Sequence, residues 1–206
     1  MMAEERRPWE FGRFVRTASF FQTLPSFLRP GSKTRTLQPG TVIFDGTNPL
    51  GLSFGPLDDV VMGGASESGL VGTCWEGSVT TANNGGFAGV RSRAISLDLS
   101  ACRGIRLRVK ADGKRYKFII RDDEDWNGVA WSHSFDTKDG AFVEVKVPFE
   151  KFVPTRFAKV IPGVTFDRST FSSVQFTLSK FEYDNDLNPK FNTGPFYMDI
   201  ASISTF

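Results

Sequence analysis

Carboxylates carry most of the chemistry this chain could attempt. Asp58 and Asp59 stand side by side in Pro56-Leu57-Asp58-Asp59-Val60-Val61-Met62-Gly63-Gly64. Two acids flanking one bond could hydrolyse a glycoside, one protonating the leaving group and the other attacking or activating water. Adjacent residues on an extended strand face opposite ways, so the pair converges only in a turn, and one acid also needs an apolar pocket to keep its proton. The competing structural reading makes an aspartate cap a turn while the glycines allow close backbone approach. A second acidic run sets Asp123, Asp125, Asn127 and Gly128 at positions 1, 3, 5 and 6 of a calcium loop, but position 12 is Ser134 where a bidentate glutamate belongs. Asp184-x-Asp186-x-Asn188 is a further fragment, with Pro189 in the glycine position. Both runs read as solvated turns, and no metal site is assigned.

His133 is the sole histidine, which excludes multi-histidine metal sites. In Trp131-Ser132-His133-Ser134-Phe135, alternation puts the imidazole on the face of Trp131 and Phe135, away from both serines, so neither neighbour can serve as its nucleophile. The chain has neither a GxGxxG nor a GxxxxGK[ST] loop to cradle phosphates. No cofactor and no catalytic residue is expected. Cys74 and Cys102 are too few for a disulfide framework. Together with the absence of any Asn-x-Ser/Thr sequon, they favour an intracellular, reducing compartment. Trp126, Trp131 and Tyr116, with Arg121 and the acidic run nearby, could form a stacking platform for a sugar ring.

Those residues must be held by some scaffold, and 206 residues suffice for one domain with a sizeable core. A net charge of +2 gives no nucleic-acid footprint, and direct nucleic-acid binding is not expected. Twenty-one phenylalanines promise a large aromatic core or contact surface. No apolar stretch approaches the roughly 18 residues of a membrane span, and Met1–Arg7 lacks the order of a secretory signal. The first forty residues hold seven basic side chains against three acidic ones, a net of +4. From Trp9 to Leu28, Phe11, Phe14, Val15, Ala18, Phe21 and Leu24 recur at helical intervals. Residues 1–28 are therefore expected to form an amphipathic helix, ended or kinked by Pro25. Its stripe would pack on the protein's own body, enter a partner's groove through Phe11, Phe14 and Phe21, or lie on a membrane with help from Arg13 and Arg16. Residues 29–40, RPGSKTRTLQPG, read as a linker.

From residue 41 to 206 the period becomes two. Ala141, Val143, Val145 and Val147 alternate with Phe142, Glu144 and Lys146. The same pattern runs through Ile105-Leu107-Val109, Tyr116-Phe118-Ile120, Val174-Phe176-Leu178 and Phe196-Met198-Ile200. Such runs between Gly, Asn, Asp and Pro clusters predict antiparallel sheets with one buried face. Asn83-Asn84-Gly85-Gly86, flanked by Val79–Thr81 and Phe87–Val90, predicts a tight hairpin. The fold class expected is all-β, a jelly-roll β-sandwich carrying an N-terminal helix.

Several of these segments, taken in order, resemble one family. They are Leu57-Asp58-Asp59-Val60-Val61-Met62-Gly63-Gly64-Ala65-Ser66-Glu67-Ser68; Asn83-Asn84-Gly85-Gly86-Phe87 with Arg91; Tyr116-Lys117 with Arg121, Asp125 and Trp126; Val147-Pro148-Phe149 with Phe152 and Pro154; and Gly194-Pro195-Phe196 through Ile203. Residues 41–206 are similar to the complex I intermediate-associated protein 30 family, including its photosynthetic members, one of which carries the domain within a dehydrogenase-like chain. The dinucleotide-binding part of that chain has no counterpart here. The resemblance implies a galactose-binding-like jelly roll and a non-enzymatic assembly factor or chaperone-like module. Its partners would be protein subunits of a membrane complex under construction, respiratory complex I or a photosystem. The expected location is intracellular, the cytoplasm or an organelle (mitochondrial matrix or plastid stroma), and the basic amphipathic stripe of residues 9–28 offers a peripheral membrane contact. Loops on a rigid sandwich commonly carry recognition, so Asp58, Asp59, Asn83, Asn84, Arg91, Arg121 and Trp126 are the expected binding surface. A carbohydrate-binding module is the alternative.

Overall fold

The computed structural model describes residues 7–8, 10–21, 34–125 and 127–206. Among them one helix, α1 (Phe11–Phe21), precedes a run of strands: β1 (Arg35–Thr36), β2 (Val42–Asp45), β3 (Phe54–Pro56), β4 (Glu67–Val71), β5 (Cys74–Val79), β6 (Phe87–Ser92), β7 (Leu97–Asp98), β8 (Gly104–Ala111), β9 (Arg115–Arg121), β10 (Ala130–Asp136), β11 (Phe142–Pro148), β12 (Val153–Arg156), β13 (Lys159–Val160), β14 (Ser173–Ser179) and β15 (Gly194–Thr205). Two antiparallel sheets form a jelly-roll sandwich. One has the order β13-β12-β10-β9-β14-β6-β3 and the other β11-β8-β15-β5-β4, with β2 also paired to β15.

Alternation decides the core. Ile105, Leu107, Val109, Tyr116, Phe118, Ile120, Val174, Phe176, Leu178, Met198 and Ile200 are all fully buried between the sheets, as their period of two predicts. Trp75 sits at the centre, edge-on to Tyr116 and Phe196 at 5.8 and 4.8 Å between centroids. Of the outward residues of β8 and β11, Arg108, Glu144 and Lys146 stay in water and Arg106 is half-buried.

The outward face of the seven-stranded sheet differs from the simple rule. Lys117, Ile119, Arg121, Ser173, Gln175 and Thr177 are buried as well. The chain after β14 folds back here, so that the Lys117 ammonium donates to the carbonyls of Phe181 (2.6 Å) and Glu182 (2.9 Å). Burial lowers the Lys117 pKa to about 8. Period alone cannot announce this, because a loop brings the cover.

The expected hairpin at Asn83–Gly86 is also corrected. Asn83 and Asn84 do take left-handed backbone, at φ 55° and 59°. Yet β5 pairs with β4 and β15, while β6 pairs with β14 and β3. The turn therefore carries the chain from one sheet to the other. Residues 34–40 of the expected linker are anchored: β1 pairs in parallel with β7, and Leu37 is buried in the core.

The helical expectation for residues 1–28 is met over Phe11–Phe21, and Trp9, Leu24, Pro25 and Leu28 lie outside the described residues. α1 rests on the sandwich. The Phe20 ring lies so close over Gly55 that a Cβ there would meet it at 2.4 Å. Arg93 stacks on the same ring at 4.4 Å and donates from Nε to the Phe20 carbonyl (3.1 Å). Thr17 is buried, while Phe11 and Val15 remain 60 % and 44 % exposed on the outer side.

The turn from β12 to β13 holds Phe157 and Ala158 at φ 50° and 62°. A left-handed conformation costs an ordinary L-residue roughly 1–2 kcal/mol. Here the turn is tied to its neighbour by Asp184, whose N–H donates to the Ala158 carbonyl and whose Oδ1 accepts from Val160, both at 2.9 Å. Phe157 packs against little, being 78 % exposed. Phe157→Asn is therefore expected to raise the unfolding free energy by about 1 kcal/mol, since Asn tolerates this region. A denaturant midpoint equal to that of the parent would count against strain at this turn.

Candidate functional site

Leu57 through Ser68 lies where the two sheets meet at one corner. Strand β4 ends the six-stranded sheet, and the backbone groups on its outer side need partners. The two adjacent aspartates supply them. After extended Asp58 the chain enters a single 3-10 turn, Asp59–Met62, closed by Gly63 at φ 89°. That turn lets the neighbours point into one region, as an extended strand would not.

Asp58 accepts from the Ser68 amide (2.9 Å), the Ser68 hydroxyl (2.6 Å) and the Gly89 amide (3.0 Å). Asp59 accepts from the Ser66 amide (2.9 Å) and hydroxyl (2.8 Å), and from the amides of Gly86 (2.7 Å) and Phe87 (3.3 Å). Asp58 thus binds β4 on one side and β6 on the other, while Asp59 binds Ser66, just ahead of β4, and the start of β6 with the turn leading into it. They stand in for the missing ladder between two sheets. The glycines follow from that closeness: a Cβ on Gly64 or Gly85 would come within 2.3 and 2.4 Å of the Asp59 carboxyl.

Arg13 of α1 completes the corner. Its Nη2 donates to the Ser66 carbonyl (2.6 Å) and lies 3.4 Å from Asp58 Oδ2. Asp58 is nonetheless pushed up to about 6, because burial outweighs the Ser68 and Gly89 donors and the Arg13 charge. Beside this contact runs a groove of about 570 Å³ between α1 and β4–β5, lined by Arg13, Thr17, Phe20, Glu67, Glu76 and Asp58. Asn83 ties in the segment ahead of α1, exchanging hydrogen bonds with the Arg7 backbone at 2.9 Å in each direction and donating to the Gly63 carbonyl (3.0 Å).

Of the expected binding residues, the structure brings Asp58, Asp59 and Asn83 together, with Asn84 exposed on the same turn. Asp58 and Asp59 face inward, however, only 1 % exposed each. Their oxygens are occupied by donors of their own chain, so the acid-and-nucleophile arrangement considered for them is not built. Arg91 and Arg121 belong to strands and not to loops, and both are buried. They flank β14, across from Gln175 and Ser173 respectively. Burial, with the Arg121 charge adding to it, lowers Arg91 to about 9. Arg121 donates to the Gly128 carbonyl (3.0 Å) and so shapes the acidic loop. Trp126 lies outside the described residues.

The other candidates resolve into structural roles. Asp123 and Asp125 each accept from a backbone amide two residues on, both at 3.0 Å. Among the described residues no group of three or more His, Cys, Asp or Glu side chains is placed to hold a metal ion. His133 Nδ1 sits 3.3 Å from the Lys151 carbonyl, and burial lowers its pKa. Trp131 and Tyr116 are core residues, with Trp131 Nε1 donating to Asp122 (2.9 Å) and Tyr116 to Asp112 (2.7 Å). The expected sugar platform therefore loses these two rings. Sequence reasoning missed Ser66, Ser68 and Gly89 as partners of the aspartates. The alternate spacing of Ser66 and Ser68, at and just ahead of the start of β4, was the available signal.

Comparison with known proteins gives two results. The sequence model for the family Complex I intermediate-associated protein 30 matches residues 46–200. The mouse protein "Complex I intermediate-associated protein 30, mitochondrial" (Mus musculus) is 31 % identical over 125 residues, which is 57 % of this chain and 34 % of the mouse protein. The matched region thus spans about a third of that relative. Among solved structures, the family 11 carbohydrate-binding module of the cellulosomal cellulase Lic26A-Cel5E of Clostridium thermocellum superposes with a TM-score of 0.56 at 19 % identity, covering 82 % of this chain and 95 % of the module. At that identity the likeness concerns the fold alone.

Proposed function

The chain belongs to the complex I intermediate-associated protein 30 family, and from that premise we propose that it is a non-enzymatic assembly factor. It holds protein subunits of a membrane energy-transducing complex, of the respiratory complex I type or a photosystem, while the complex is incomplete. The family match over residues 46–200 is the observation that carries this reading. The corner geometry agrees with it, because the most chemically suggestive residues, Asp58 and Asp59, are consumed in bracing the sandwich. What remains for a client are exposed groups around that corner, Asn84, and Met62 on the 3-10 turn. Exposed apolar side chains with polar neighbours are the usual anchors of protein contacts.

No nucleotide or metal is required by this mechanism, which is reversible docking. The mouse relative's name, which says mitochondrial, supports an organelle as the place of work. No helix among the described residues is long and apolar enough to cross a membrane. Affinity purification of the full chain from detergent-solubilised membranes is expected to recover a partly assembled membrane complex. Recovery of soluble proteins alone, or of the finished complex alone, would overturn the assignment.

A further inference from the structure

We propose that the outer face of β8 and β11 is a surface by which this chain rests on an anionic lipid bilayer. This goes beyond the assembly-factor reading and needs no client protein. On β8 the outward positions are Gly104, Arg106, Arg108 and Lys110, and their partners on β11 are Pro148, Lys146, Glu144 and Phe142. At about 3.3 Å per residue these positions span a stripe roughly 20 Å long. Four cations, Arg106, Arg108, Lys110 and Lys146, lie along it.

Aromatic rings sit at both ends. Phe142, 46 % exposed, is covered by the Arg108 guanidinium at 4.1 Å and approached by Lys110 at 5.9 Å. At the other end the Phe206 ring occupies the space above Gly104, where a Cβ would meet it at 2.6 Å, and Lys146 lies over it at 4.3 Å. Cations alternating with rings suit a headgroup layer, where the charges meet phosphates and the rings sit at the apolar boundary.

Acidic groups on the same sheet are unequally shared. Glu144 lies within the stripe, 3.4 Å from Arg106, and Asp199 of β15 is registered beside Lys110. Asp45 of β2 sits across β15 from Arg108, both registered with Ser202, and Glu67 and Glu76 are on β4 and β5 at the opposite edge of the sheet. The sheet is therefore basic along β8–β11 and acidic along β4–β5, a dipole that turns the β11 edge toward a negative surface. Cations spread along one face of a sheet suit an array of lipid phosphates. The helix offers less for this purpose, because Arg13 is engaged with Asp58 and Ser66, and Phe20 with Gly55 and Arg93.

The test is sedimentation of the full chain with phosphatidylcholine vesicles, with and without phosphatidylserine, at low salt. Binding is expected only to the anionic vesicles, and to weaken as salt is added. Each cation near such a surface contributes about fivefold in partitioning, so Arg108→Gln with Lys146→Gln is expected to weaken binding about 25-fold, and Lys146→Gln alone about fivefold. Arg156→Gln with Lys159→Gln removes the same charge from exposed positions on the other sheet, and binding there is expected to change less than about twofold. Equal losses in the two double variants would reduce the effect to net charge and overturn the proposal. So would equal binding to both kinds of vesicle, or no binding to either.

Discussion

Asp59→Ala is expected to lower the unfolding free energy by about 3–5 kcal/mol, enough to remove most of the stability of an ordinary domain. The substitution takes the acceptor away from three amides, those of Ser66, Gly86 and Phe87, and leaves the Ser66 hydroxyl only the Thr80 carbonyl at 3.2 Å. Each orphaned group costs roughly 1–3 kcal/mol, less whatever an entering water restores. Gly64 and Gly85, packed directly on the carboxyl, would then line an empty space. The measurement also separates two views of this residue. A carboxylate kept for catalysis or recognition is commonly neutral or costly to the fold, and its removal leaves stability unchanged or improved. A loss below about 1 kcal/mol on chemical denaturation would defeat the bracing role.

The pH dependence of stability gives the second large effect, through Asp58. Its folded-state value of about 6 stands above the ordinary 3.8, because burial penalises the charged form. Between those values the folded chain holds the proton more tightly than the unfolded chain does. Stability is therefore expected to rise as pH falls from about 7 to about 4, by up to about 3 kcal/mol from this group. Burial also raises Asp123, which acts in the same direction. Asp45, Asp98, Asp136 and Asp167 have lowered values, and their contribution is lost only under more acid conditions. In Asp58→Asn the slope between about pH 6 and 4 should flatten. Arg13→Gln should move the window upward, since the Arg13 charge holds the Asp58 value down. Denaturant titrations at several pH values decide this, and a parent curve that falls steadily from pH 7 to 4 would refute it.

These two results bear on how the site is understood. A pair of adjacent acids beside two glycines invites a catalytic or recognition role, and both carboxylates and both serines of the motif have structural partners instead. Its position at the meeting of two sheets explains why the motif is long and specific. It has to place two carboxylates, a 3-10 turn, two serines and several glycines within hydrogen-bonding distance of a second strand. The function and the membrane surface proposed above then rest on what surrounds this corner and on the charged outer sheet, whose residues look unremarkable in sequence.

The strand faces were legible in the sequence. Alternation in Ile105-Leu107-Val109 or Tyr116-Phe118-Ile120 is a local property, since the pleat sends successive side chains to opposite faces whatever the rest of the chain does. The positive-φ turn at Asn83-Asn84 and the helical stripe of α1 were readable for the same reason. Partnership was not. Asp59 finds donors 7, 27 and 28 residues away, and Asp58 finds them 10 and 31 residues away. Arg13 reaches Asp58 across 45 residues. Whether Asn83–Gly86 joined two paired strands or carried the chain between sheets depended on what β5 and β6 pair with elsewhere. Whether Arg91, Lys117 and Arg121 met water depended on chain segments that pack over them. Composition and period determine which way each side chain points, but burial and hydrogen bonding belong to pairs of groups, and only the folded chain brings the second member of each pair into place.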